Sequence, residues 1–126
     1  ATTEIYTLSL HDALPICLEL LAEKKEVVLA IPGVELTDAL IGCGTCSGRD
    51  TDKAAKVGLT MQEVEGTNIK APVPCKLYIH ATVAQTMDAD DHVVHLCDVK
   101  GVYGDEDVDA VFGWKGYAEF AAAQQK

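Results

Sequence analysis

The chain breaks into short segments whose apolar residues recur either at helical or at strand spacing. Over residues 17–25, Leu18, Leu21 and Ala22 sit at helical spacing among Glu19, Glu23, Lys24 and Lys25, which predicts a short amphipathic helix. Residues 26–33, EVVLAIPG, form an apolar run rich in β-branched side chains and stopped by Pro32-Gly33, the pattern of a buried strand. Residues 34–44 return to helical spacing through Leu36, Ala39 and Leu40 and end at glycine. A further helix over 51–58, capped by Asp50 or Thr51, terminates at Gly58. Residues 61–74, with a glycine and two prolines, read as loop.

The strongest alternation follows. In CKLYIHATVAQT, Cys75, Leu77, Ile79, Ala81 and Val83 point one way and Lys76, Tyr78, His80 and Thr82 the other, a half-buried strand. Asp88 to Asp91 make a polar turn into HVVHLCDVKGVY, whose Val93, Val94, Leu96, Cys97 and Val99 predict a strand partly buried on both faces. The two strands pair as a long antiparallel hairpin, a component of small barrels. Beyond it come an acidic loop and an alanine-rich tail of helical propensity, in which Trp114, Tyr117 and Phe120 at three-residue spacing read as one packed face.

With 126 residues the chain can bury one core but not two, and no repeat recurs. Its formal charge of −10 repels phosphate backbones and anionic headgroups, so neither nucleic acid nor a membrane is expected as partner. No apolar run approaches the roughly 20 residues of a bilayer span, and a signal-peptide pattern is lacking, so a soluble cytoplasmic protein is expected. Residues 1–16 resemble the peptide read from a translated sequencing adapter, the competing reading being an edge strand in which Tyr6, Leu8 and Leu10 alternate. The adapter reading is preferred: residues 1–16 are set aside as a non-native leader and 17–126 are taken as the domain.

Five cysteines, an odd number without a secretion signal, read as reduced thiols. The run CGTCSGRDTDK, residues 43–53, admits several chemistries. As a zinc knuckle, Cys43 and Cys46 lack a second closely spaced pair. As a redox dithiol they follow a helix instead of opening one, without the dipole that stabilises a thiolate. As small apolar residues they need no function at all. As an anion loop, glycines let successive N–H groups converge, Ser47 adds a hydroxyl, and Arg49 and Lys53 add charge ahead of a helix. Against that stands a solvated turn in which Asp50 and Asp52 neutralise the two cations. Spacing alone leaves these open.

CGTCSGRDTDKAAKVGLT, then IKAP, CKLYI and DDHVVHLCDVKGVYGDE, together resemble the flavin reductase-like, FMN-binding split-barrel proteins over roughly residues 17–105. The resemblance implies a mainly β chain with short helices, an antiparallel split β-barrel, forming a homodimer with FMN near the interface. It also implies electron transfer from NAD(P)H through FMN to free flavin, an acceptor protein or a monooxygenase partner. Carried over by position, Ser47, Gly48, Arg49 and Lys53 are candidates for the FMN phosphate side, and Asp52 for orienting Lys53 or capping the helix. His92 falls at the family's Gly-Asp-His position and is the candidate to approach the flavin or nicotinamide, the competing reading being a surface histidine opening a strand. His80 and His95 match no such position.

Two departures accompany the resemblance. Ala71-Pro72-Val73-Pro74 runs directly into Cys75 where the family has several intervening residues, and the family's first strands would precede residue 17. The chain is therefore read as an N-terminally truncated split barrel. A noncatalytic flavin-binding or structural module, and a thiol or zinc protein built on Cys43 and Cys46, are the alternative functions.

Overall fold

The computed structural model describes residues 16–111 and, in the tail, residues 118, 119, 122, 123 and 125. The leader reading, Ile16 apart, and the face of Trp114, Tyr117 and Phe120 lie outside the described residues. Helix α1, Ile16–Lys24, leads into strand β1, Glu26–Pro32, and a 3-10 turn, Val34–Leu36, leads into α2, Thr37–Gly44. Helix α3 is Lys53–Val57, followed by β2, Thr60–Glu63, β3, Lys70–Val73, β4, Cys75–Ala89, and β5, His92–Gly104.

Two antiparallel sheets result, one of order β1-β4-β5 and one of β2-β3, and among the described residues neither closes into a barrel. Strand β1 buries alternate residues, Val28, Ala30 and Pro32, although its sequence reads as continuously apolar. At its head Lys25 adopts a left-handed φ of 55°, and its carbonyl accepts from the Val83 amide, which ties the end of α1 to β4. At its foot the Gly33 amide donates to the Pro74 carbonyl and Gly33 bridges to Ala110.

The β2–β3 ribbon corrects the expectation of loop over 61–74. Thr60 pairs with Val73 and Glu63 with Lys70, while the Thr67 hydroxyl donates to the Val64 carbonyl and accepts from the Ile69 amide to shape the turn. Prolines do not prevent the pairing, because a two-stranded ribbon has an outer edge that requires no N–H. The ribbon covers the sheet, and Val28, Val64 and Ala71 form a buried cluster against Ile69, Tyr78 and Tyr103.

Tyr78 therefore belongs to a packed face. Val28 lies opposite His80, and Tyr78 opposite both Ala30 and Tyr103, so the supposed polar side of β4 also meets the core, while Cys75 and Ala81 on the side read as apolar are buried as expected. The half-buried Tyr78 donates its hydroxyl to the Pro72 carbonyl at 2.7 Å, which satisfies the polar end of the ring. In strand β5 Val93 and Cys97 are half-buried as expected, and so is His95, while Val94, Leu96 and Val99 depart from expectation in being exposed, as is Val102. The hairpin turns on Asp90 and Asp91, with Asp90 at φ 57°, a region that aspartate tolerates.

Candidate functional site

The run over residues 43–53 is held at both ends by helices that meet closely. A Cβ built on Gly42 of α2 would lie 2.7 Å from Val57 Cγ1 of α3, so only a hydrogen permits this approach. Helix α2 ends with the Gly42 carbonyl accepting from the Thr45 hydroxyl at 2.9 Å and the Cys46 thiol at 3.5 Å, which satisfies a carbonyl the helix itself leaves over. The Arg49 amide then donates to Ser47 Oγ at 3.2 Å and sets the turn.

The cap of α3 is Asp52, not Asp50 or Thr51. Its Oδ1 accepts from the Ala55 amide at 3.2 Å, three residues on, as an N-cap does. Gly58, at φ 69° and ψ 35°, ends the helix in the left-handed form, as expected.

Both cations of the run are engaged. Lys53 Nζ donates to the Cys43 carbonyl at 2.9 Å, tying the start of α3 to the last turn of α2. The Arg49 guanidinium makes a hydrogen-bonded ion pair with Glu19 of α1, a partner 30 residues away that no local spacing could reveal. Among the described residues the partners of these cations are Glu19 and the Cys43 carbonyl, and Asp52 accepts from the Ala55 amide instead.

Cys43 is buried at 3% exposure, and burial pushes its thiol up from the ordinary range, against the nearby Lys53 ammonium, which pulls it down. A thiol kept protonated is a poor nucleophile and a poor metal ligand. All five cysteines are free, and among the described residues no three His, Cys, Asp or Glu side chains group to hold a metal.

The donor set suits an anion. An ammonium has three N–H groups, of which Lys53 spends one on Cys43. Ser47 accepts from Arg49 and keeps its own O–H to donate. Ser47, Gly48, Arg49 and Lys53 are thus gathered into one turn, with Asp52 turned to the helix amide beside them.

His92 is not joined to that turn by any hydrogen bond or ion pair among the described residues. It opens β5 at the hairpin end, 56% exposed, with Nδ1 2.7 Å from Asp91 Oδ1. The imidazole holds the Asp91 carboxyl below its ordinary range. His80, by contrast, is mostly covered and its Nε2 meets Glu26 Oε1 at 2.7 Å. His95 Nδ1 lies 3.2 Å from the Thr86 hydroxyl.

The architecture is that of FMN-binding, flavin reductase-like proteins. The FMN-binding protein of Thermus thermophilus, with bound p-hydroxybenzaldehyde, superposes with a TM-score of 0.65 at 16% identity, over 75% of this chain and 52% of that one. Flavoredoxin of Desulfovibrio vulgaris (Miyazaki F) gives 0.64 at 19% identity, over 75% and 50%. An NADH:FAD oxidoreductase of Streptomyces globisporus gives 0.67 at 8% identity, over 78% and 57%. In sequence, an uncharacterized protein of Archaeoglobus fulgidus is 28% identical over 87 residues, which are 68% of this chain and 49% of that protein. No family model matches the chain. The chain thus spans about half the length of these relatives. Among the described residues no helix is long and apolar enough to cross a membrane.

Proposed function

We propose that the chain binds FMN and takes part in flavin-dependent electron transfer, with NAD(P)H as donor and free flavin, an acceptor protein or a monooxygenase as acceptor. The observation that carries the reading is the turn over residues 43–53, lying in a fold shared with FMN-binding proteins and rich in donors. On this reading Ser47, Gly48, Arg49 and Lys53 hold the phosphate, and Asp52 keeps α3 in place beside them without facing it, since a carboxylate and a phosphate repel. The bound flavin would supply a ring that accepts hydride and releases electrons singly or in pairs. His92 donates a hydrogen bond toward the electron-rich ring or the nicotinamide. The protein acts as a homodimer in the cytoplasm, on small-molecule flavin and nicotinamide and not on nucleic acid or membrane.

A second reading, a noncatalytic split-barrel module, is favoured by the engagement of Arg49 with Glu19 and of Lys53 with Cys43, which gives both cations a structural task. Flavin fluorescence quenching on titration with FMN, followed by NADH and NADPH oxidation, separates the two. Saturable binding with turnover supports electron transfer; binding without turnover supports the module; no binding of FMN ends both flavin readings.

A further inference from the structure

The turn over residues 43–53 carries two cations, Arg49 and Lys53, and two carboxylates, Asp50 and Asp52. Glu19 of α1, hydrogen-bonded to the Arg49 guanidinium, is a third carboxylate, so the charged side chains gathered there sum to one net negative charge. A phosphate monoester brings about two more negative charges at neutral pH, and it engages a guanidinium through the same fork of N–H groups that a carboxylate uses. Glu19 and a ligand phosphate therefore compete for Arg49.

Glu19 is presented from an anchored element. Cys17 is buried at the start of α1, and the Lys25 carbonyl just past its end accepts from the Val83 amide of β4. Glu23, the other carboxylate of the helix, pairs with its neighbour Lys24. The Glu19–Arg49 contact is one that a ligand can open: the two side chains are 52% and 44% exposed, and an exposed ion pair holds weakly.

We propose that Glu19 is an internal competitor for the ligand phosphate, neutralising Arg49 in the free protein and giving way to a phosphate-bearing flavin, which uncouples α1 from the turn. The proposal rests on the phosphate reading above and adds regulation of that same site. Whatever strengthens the Glu19–Arg49 contact weakens FMN binding, and bound FMN weakens the contact in turn.

Calorimetric titration of FMN and of riboflavin into the full chain, and into its Glu19→Gln and Glu23→Gln variants, tests it. Glu19→Gln is expected to bind FMN about fivefold more tightly than wild type and to leave riboflavin within about twofold, the scale set by release of an exposed ion pair. Glu23→Gln removes the same charge from the same helix and is expected to leave both ligands within about twofold. This control separates the contact from the general field of a chain of formal charge −10. The amides of α1 are also expected to exchange faster in protein saturated with FMN than with riboflavin. If wild type prefers FMN to riboflavin while Glu19→Gln is unchanged, weaker or merely matched by Glu23→Gln, the competitor role is overturned and the phosphate reading stands. Equal exchange of α1 with both ligands would mean that the contact survives phosphate binding, which overturns the competitor role as well. A wild-type chain that binds FMN no more tightly than riboflavin overturns the phosphate reading and the competitor role together.

Discussion

The Lys53 ammonium donates to the backbone carbonyl of Cys43 at 2.9 Å, so the first residue of α3 closes onto the last turn of α2. The chain between them, residues 44–52, is thereby drawn into a turn, and the charge of Lys53 is fixed on it. One side chain serves as both structural tie and candidate phosphate contact, and the two roles separate experimentally.

Lys53→Ala is expected to weaken FMN binding about tenfold more than riboflavin binding, because a lost charge-assisted contact to phosphate affects only the ligand that carries one. Calorimetric titration of both ligands into both proteins measures the ratio. Equal weakening would mean that Lys53 only ties the turn, and the phosphate assignment would fall.

Asp52→Ala is expected to destabilise the protein by about 1 kcal/mol, the usual loss for an N-cap, while Asp50→Ala stays within about 0.5 kcal/mol of wild type. Urea unfolding followed by circular dichroism compares them. The distinction follows from the Asp52 bond to the Ala55 amide, which has no counterpart at Asp50 among the described residues.

Local periodicity and local chemistry made α1, β1, the β4–β5 hairpin and the Gly58 stop legible in the sequence, because each is decided within a few residues. The β2–β3 ribbon was not, since its identity depends on distant partners: Pro72 looks like a breaker until its carbonyl is seen accepting from Tyr78. Tyr78 itself was assigned to the polar face because alternation reports a period, not which side another element will cover. At the site, the residue types and their shared turn were readable, and so was capping as one of two roles for Asp52. The Glu19 partner of Arg49 was not, because an ion pair across 30 residues is a product of the fold. The outward Val94, Leu96 and Val99 were read as partly buried, because an apolar run does not disclose which of its residues another element covers.

Gly33→Ala is expected to cost about 1–3 kcal/mol, the range for overpacking a tight site. An added Cβ would lie 2.7 Å from Val108 Cγ1, 2.8 Å from Glu35 Oε2 and 2.9 Å from the Pro74 carbonyl oxygen. Glu35 can swing away, but the Pro74 carbonyl is backbone and accepts from the Gly33 amide itself, so relief there breaks a hydrogen bond. A urea midpoint unchanged from wild type would show that the Gly33–Pro74 junction is looser than this geometry requires.

Tyr78 links the ribbon to the sheet and sets the alkaline limit of that junction. Its hydroxyl and the Cys75 thiol share the Pro72 carbonyl, at 2.7 and 3.1 Å. Burial, with the adjoining thiol, pushes the phenol well above its ordinary value near 10, and burial also raises Cys75. A folded-state value above the unfolded one means that the native protein keeps a proton the unfolded chain releases. That stability is fully present below the unfolded pKa and is lost as pH rises through and beyond about 10, at up to about 1.4 kcal/mol per pH unit. Tyr78→Phe should therefore be less stable than wild type at pH 7 by about 1 kcal/mol, a cost limited because the Cys75 thiol still satisfies Pro72. Above pH about 10 the gap should narrow, because phenylalanine has no proton to lose. Urea unfolding of both proteins from pH 7 to alkaline conditions measures it, and parallel curves would show that the Tyr78 phenol titrates alike in the folded and unfolded chain.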